Sequence, residues 1–442
     1  MATASLHLPP VPPAAIQPAT PTSRSRPAPS LVALAAGFAL TVVPVLLGLL
    51  VSGQPSWREA YLSLMAWDSA WYESIARYGY QPPPEWTAGK PNSLAFFPGY
   101  PIAARAVGRA SGIPMTFALL VTSQAAAWGF WTLLITLLHR RGLPPWFITS
   151  AVLFLWTQPA AFYLVVAYSE ALFLITLLAF LTTSAGPASA PHVSAARAGL
   201  AGLAGLAGLA MTATRLVGLP LAVYPLLHGW LNRPQDAPDA LPHRLRPLAT
   251  PFAVAAIALL GGGLFFLGNH LRFGQWDAFF KAEHAGWYVE PRYRALLHSR
   301  TYFPPARDWR EGDFIRPGWL SRLYVSPLLA SLAALAAFDL TRAYRRGTGG
   351  WRRRLPLYAC ASLLLFTTLV GRISLDMEGI IRYALPILLL WLLAAADLAA
   401  EYGPPRGRAR ALLLGALAVW CPLAFLCQLA FLARFTHGVW VA

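Results

Sequence analysis

The residues best suited to chemistry open with the run Trp67-Asp68-Ser69-Ala70-Trp71-Tyr72-Glu73, which continues to Gly79-Tyr80. On a helix, Asp68, Tyr72, Ile75 and Gly79 share one face. Glu73 and Arg77 form an i,i+4 pair on another face. The pattern predicts an amphipathic helix that ends near Gly79 and lies at a membrane interface. A carboxylate on its apolar face has two readings: Asp68 caps the helix or pairs with an arginine, or it does chemistry.

Other runs add candidates. Phe96-Phe97-Pro98-Gly99-Tyr100-Pro101 predicts a rigid, non-helical path, with aromatic rings suited to a headgroup layer. In Ala167-Tyr168-Ser169-Glu170, the carboxylate opens a helix, where the dipole favours it; a ligand role is the other reading. Arg215 and Arg382 sit at the ends of apolar runs. A cation at a helix N-terminus is disfavoured, so Arg382 asks for an anionic partner such as a phosphate, or else snorkels toward the headgroups. From Arg272 to Trp287, aromatic and polar residues interleave, among them Trp276, Asp277 and His284. Aromatic faces stack on the C–H surfaces of sugars while carboxylates and histidine bond hydroxyls; for a lone His284, a plain polar contact is the alternative. No His/Cys/Asp cluster has metal-ligand spacing, and there is no P-loop, dinucleotide fingerprint or Gly-x-Ser-x-Gly elbow.

The elements that position these residues are membrane helices. Of 442 residues, 57% are hydrophobic and 12% charged, with mean hydropathy +0.50. Soluble domains carry about 25% charged residues, so lipid must cover part of this surface. The net charge of +17 lies between apolar runs, which fits loops facing anionic lipid and argues against nucleic acid. Cys360, Cys421 and Cys427 all lie in apolar runs, against a disulfide framework.

Residues 1–30, rich in Pro, Ala, Ser and Thr, predict a disordered cytoplasmic tail. The run 31–51 is an anchor and not a signal peptide. Further spans are predicted near 116–138, 146–166, 170–185, 250–271, 319–340, 355–372, 382–400 and 411–433. The stretch 198–231 is one long helix with a buried Arg215 or a hairpin with its tip near Arg215; a central arginine costs about 2.5–3.5 kcal/mol. Its run AGLAGLAGLA suits close helix packing. The basic loops 139–145, 341–354 and 401–410 share the cytoplasmic side only if 198–231 is a hairpin. The expected fold is therefore all-α and polytopic, with about eleven spans over 31–433, large outside loops at 52–115 and 272–318, and a short outside tail at 434–442.

These residues, in this order, resemble the PIG-V family of mannosyltransferases. The resemblance rests on Trp67-Asp68 with Tyr72, Ile75-Ala76 and Gly79-Tyr80, on Phe96-Phe97-Pro98-Gly99-Tyr100-Pro101, and on Tyr168-Ser169-Glu170-Ala171-Leu172-Phe173. It continues through Ala213-Thr214-Arg215-Leu216-Val217-Gly218-Leu219, the Gly274 to Trp287 stretch, and Arg382-Tyr383-Ala384-Leu385-Pro386, covering nearly all of 31–400. Gly99 departs from the bulkier residues common there. The resemblance implies a GT-C bundle whose first outside loop carries a catalytic carboxylate. It also implies transfer of mannose, with inversion, from a polyprenyl- or dolichyl-phosphate carrier to a glycolipid or glycan acceptor.

On that reading Asp68 is the general base and Arg215 and Arg382 hold the lipid phosphate. Trp67, Tyr72, Glu170, Trp276, Asp277 and His284 contact substrate. Phosphate leaves well without a metal, though a divalent ion is compatible. The active face is outside or luminal, on a bacterial plasma membrane or, in a eukaryote, the endoplasmic reticulum. A transporter of lipid-linked sugars is the alternative, and would need polar residues at mid-bilayer and a repeat between halves.

Overall fold

The computed structural model describes residues 30–82, 86, 89–185, 194–233, 246–302, 317–347, 349–373 and 379–441. The tail expected at 1–30 lies outside them save Ser30, as do 83–85, 87–88 and 303–316 of the two long loops. Among the described residues every regular element is helical.

The first stretch holds α1 (Leu31–Val51), α2 (Trp57–Leu62), α3 (Ser69–Tyr78), α4 (Gly99–Ser111), α5 (Met115–Arg140), α6 (Pro145–Trp156) and α7 (Glu170–Ser184). Then come α8 (Ser194–Thr214), α9 (Tyr224–Leu231), α10 (Ala249–Phe273) and α11 (Ala278–Trp287). The last four are α12 (Pro317–Arg346), α13 (Trp351–Arg372), α14 (Ile380–Tyr402) and α15 (Gly407–Thr436). Among the described residues, seven helices are long and apolar enough to cross a membrane: α1, α5, α10, α12, α13, α14 and α15. Four shorter apolar segments accompany them, Pro145–Trp156, Glu170–Ser184, Ala198–Thr214 and Leu216–Leu231. The chain is an integral membrane protein of many helices.

Three expectations change in detail. The span predicted over 146–166 is helical only to Trp156; Pro159 disfavours helix in the residue before it. The chain from Thr157 to Ser169 is instead almost wholly buried and irregular, with one 3₁₀ turn at Ala161–Leu164. The run from Phe96 is non-helical only to Pro98. Gly99-Tyr100-Pro101 opens α4, where a proline in the first turn loses no hydrogen bond. Its rings are also no interfacial anchor: Phe96, Phe97 and Tyr100 are buried.

The break expected in 198–231 falls at Arg215, whose backbone is extended between α8 and a 3₁₀ turn at Leu216–Gly218. The chain doubles back so tightly that a Cβ on Gly218 would lie 3.0 Å from the Met211 carbonyl oxygen. The Gly/Ala run of α8 packs backbone to backbone with α10: a Cβ on Gly261 would fall 2.0 Å from the Leu209 carbonyl oxygen.

Ion pairs gather the basic segments at one end of the bundle. Arg354, at the start of α13, forks onto Asp339 of α12 at 2.6 and 2.7 Å and reaches Glu401 of α14 at 2.5 Å. Arg141, just past α5, pairs with Asp397 of α14 at 2.5 Å. The 22 residues of α13 span roughly 33 Å, so Arg372 at its far end belongs to the opposite end of the bundle.

Candidate active site

That opposite end holds a cavity of about 780 Å³, the size of a small-ligand site. Its wall draws on the ends of α3, α7, α13 and α14, on the break after α8, and on one face of α11.

Asp68 takes the position before α3 but makes no side-chain cap. Its N–H donates to the Tyr168 hydroxyl at 3.2 Å, and its carboxylate faces Arg382 Nη1 at 2.9 Å. The preceding Trp67 has φ 56°, a left-handed backbone that costs a non-glycine residue of order 1–3 kcal/mol. What holds this turn is the buried segment before α7. Ser69 donates to the Ala167 carbonyl at 3.1 Å, and the Tyr72 and Ser169 hydroxyls are 3.1 Å apart. At the other end of α3, Arg105 of α4 donates to the carbonyls of Ile75 and Ala76 at 2.8 and 2.6 Å. Both ends of the helix that carries Asp68 are therefore fixed from outside it.

Glu170 is the first residue of α7 and is buried. One carboxylate oxygen, Oε1, accepts from Arg215 Nη1 at 2.5 Å and from Arg382 Nε. The other oxygen is buried without a hydrogen-bond partner. Arg382, in the first turn of α14, thus bridges Asp68 and Glu170. The anionic partner that its place at a helix N-terminus demanded comes from within the chain. The four charges Asp68, Glu170, Arg215 and Arg382 cancel, and aromatic faces complete the cluster. The Arg382 guanidinium lies 4.6 Å from the Tyr168 ring centre, and Arg215 lies 4.9 Å from that of Tyr383.

The other expected residues separate. Tyr72 and His284 line the cavity, Tyr72 buried and His284 exposed. Trp67 stands outside it but packs edge-on against Trp440, which lines it, with ring centres 5.3 Å apart. Trp276 and Asp277 are not among the lining residues: Trp276 stacks on His270 at 4.4 Å, and Asp277 pairs with Lys281 at 3.0 Å.

The lining also includes residues that the sequence did not single out: Glu283 and Trp287 on α11, Arg372 at the end of α13, Tyr383 and Trp440. Burial pushes the Glu283 carboxyl above the ordinary carboxylate range, and Arg372 is the strongest of the nearby charges pulling it back. For α11 a signal existed: Phe280, Glu283 and Trp287 recur at helical spacing and all line the cavity. Among the described residues no three His, Cys, Asp or Glu side chains converge as a metal site would need.

No family model matches the chain, and no curated protein does. Solved structures with a similar path include the oligosaccharyltransferase of Archaeoglobus fulgidus in complex with Zn and sulfate (TM-score 0.49, 12% identity, 91% of this chain and 53% of that one). The oligosaccharyltransferase AglB from Archaeoglobus fulgidus, in complex with an inhibitory peptide and a dolichol-phosphate, aligns with TM-score 0.44 and 11% identity over 93% of this chain and 56% of its own. The chain thus spans little more than half the length of that enzyme. ArnT from Cupriavidus metallidurans, bound to undecaprenyl phosphate, aligns with TM-score 0.47 and 16% identity over 92% of this chain and 78% of its own.

Proposed function

We propose that the protein is a membrane glycosyltransferase. It moves a hexose from a polyprenyl- or dolichyl-phosphate carrier to a hydroxyl of a glycolipid or glycan acceptor. The observation that carries the reading is the Asp68 carboxylate, held at the wall of a cavity beside guanidinium groups and aromatic rings at one end of a membrane bundle. Mannose as the sugar rests on the resemblance of the motifs to the PIG-V family.

The chemistry follows from the side chains. The acceptor oxygen attacks C1 of the sugar from the side opposite the phosphate. The C1–O bond to the phosphate breaks, and its electron pair leaves with the lipid phosphate. The acceptor proton goes to Asp68. The contact with Arg382 Nη1 holds the Asp68 carboxylate in place and aims it. Proton transfer of this kind contributes about 10²–10⁴-fold. Arg215 and Arg382 face the charge that develops on the leaving phosphate. Tyr72, Glu170 and His284 position substrate directly or through these arginines, and Trp67 acts through Trp440. Trp276 and Asp277, exposed and outside the cavity lining, are proposed contacts for the acceptor.

Basic segments at the far end of the bundle support a cytoplasmic assignment for that end, and with it an outer or luminal face for the cavity.

The test uses purified protein in nanodiscs with polyprenyl-phosphate mannose. Release of free polyprenyl phosphate, dependent on an added glycolipid acceptor, is the expected result. Movement of the intact lipid-linked sugar across the bilayer without cleavage would overturn the reading in favour of a transporter.

A further inference from the structure

The charged side chains that line the cavity fall into two groups. Asp68, Arg215 and Arg382 belong to the neutral cluster around Glu170, and Glu290 is paired with Arg292 at 2.5 Å. Arg372 and Glu283 remain. Among the described residues neither has an ion-pair partner, although both line the cavity and carry opposite charge. They influence each other through space, and no ion pair joins them.

Each is equipped for a different part of a ligand. Arg372 donates Nη2 to the Tyr383 hydroxyl at 2.5 Å, and its guanidinium lies 4.5 Å from that ring's centre. This fixes the plane of the guanidinium, and among the described residues its other N–H groups have no partner, the donor fork that suits phosphate oxygens. Glu283 makes no side-chain hydrogen bond among the described residues. Three and four residues away on α11, Phe280 and Trp287 line the same cavity. A carboxyl group between two aromatic side chains suits a sugar ring, since it accepts from hydroxyls and, when protonated, also donates to them. Arg215 and Arg382 have by contrast already spent donors on carboxylates.

We propose that Arg372 and Glu283 are the donor-reading pair of the cavity, Arg372 taking the phosphate of the lipid carrier and Glu283 a hydroxyl of the sugar it bears. The assignment rests on the glycosyltransferase reading and adds to it. It adds a grip on the bound donor to the contacts that Arg215 and Arg382 make with the leaving phosphate, and it makes Glu283 a determinant of which sugar is accepted.

The experiment measures binding to the full-length protein in nanodiscs, with polyprenyl phosphate and polyprenyl-phosphate mannose as the two probes. Arg372→Gln is expected to weaken both by about tenfold or more, the loss of a charge-assisted contact. Arg372→Lys keeps the charge and should fall between wild type and Arg372→Gln. Glu283→Ala should weaken the sugar-bearing probe by about fivefold or more and leave polyprenyl phosphate unchanged. Wild-type affinity for both probes in folded Arg372→Gln overturns the pair, as does a Lys variant no better than Gln. So does equal loss of both probes in Glu283→Ala. If wild type binds neither probe, the glycosyltransferase reading fails with it. If wild type binds and transfers while the variants are unchanged, only the pair fails. Equal affinity for water-soluble mannose 1-phosphate would overturn the lipid carrier and leave the pair standing.

Discussion

Arg382 Nη1 lies 2.9 Å from Asp68 Oδ2, joining residues 314 positions apart in the chain. The same guanidinium donates Nε to Glu170. One arginine at the mouth of α14 therefore ties the turn before α3 to the start of α7.

This arrangement makes Glu170 a support. Replacing it with glutamine leaves Arg215 and Arg382 with one carboxylate, Asp68, between them. Removing one partner of a buried ion pair costs about 3–5 kcal/mol. Glu170→Gln is expected to lower the melting temperature in detergent by several degrees and to reduce donor turnover. A melting temperature equal to wild type would contradict this role.

Gly99 sits where the structure leaves no room for a side chain. A Cβ there would lie 2.7 Å from the Thr214 hydroxyl and 2.8 Å from both the carbonyl carbon and oxygen of Ala213. Those residues immediately precede Arg215. Gly99→Ala must push backbone aside, at about 1–3 kcal/mol, and shift the Arg215 turn. The expected outcome is lower transfer with a modest fall in melting temperature; unchanged transfer would show that the turn tolerates the shift.

Glu283 predicts a pH dependence with a definite sign. Its carboxyl is raised by burial, against Arg372, Arg382 and Arg215, while Asp68 adds to the rise. A carboxyl raised on folding stabilises the protein below its unfolded value, and that contribution is lost as pH rises through the folded value. Glu283→Gln should therefore gain stability relative to wild type as pH rises from the ordinary carboxylate range, and match it at low pH. Melting curves of both proteins across that range are the check, and parallel curves would contradict the shift.

At the opposite end, Arg354 holds Asp339 and Glu401 with a side chain that is 1% exposed. Arg354→Gln is expected to destabilise by about 3–5 kcal/mol. The folded fraction should keep the wild-type KM for donor, since the site lies a helix length away. A changed KM in folded protein would couple the two ends.

How much of this was legible in the sequence depends on the kind of contact. The turn at Arg215 could be read because charge bias in three loops fixes which end each helix presents. Asp68, Arg215 and Arg382 were each legible as misplaced charges and Glu170 as a carboxylate at a helix start, but their mutual neutralisation was not, since it arises where four helix ends converge. Trp276 and Asp277 are the right residue types for a sugar; only the structure reveals that they engage His270 and Lys281 and do not line the cavity. Arg372 escaped notice for the opposite reason. A cation in the last turn of α13 is what the helix dipole favours, so nothing in its local pattern looks unusual. The irregular segment 157–169 was hidden by its apolar composition, which looks the same in a spanning helix and in a buried loop.

The most direct test of the central claim is single-turnover transfer by Asp68→Asn, with polyprenyl-phosphate mannose and a glycolipid acceptor in nanodiscs. The variant keeps the size of the side chain and an oxygen facing Arg382, so donor binding should stay within a few-fold of wild type. The rate of transfer should fall by about 10²–10⁴-fold. Transfer at the wild-type rate would contradict Asp68 as the base.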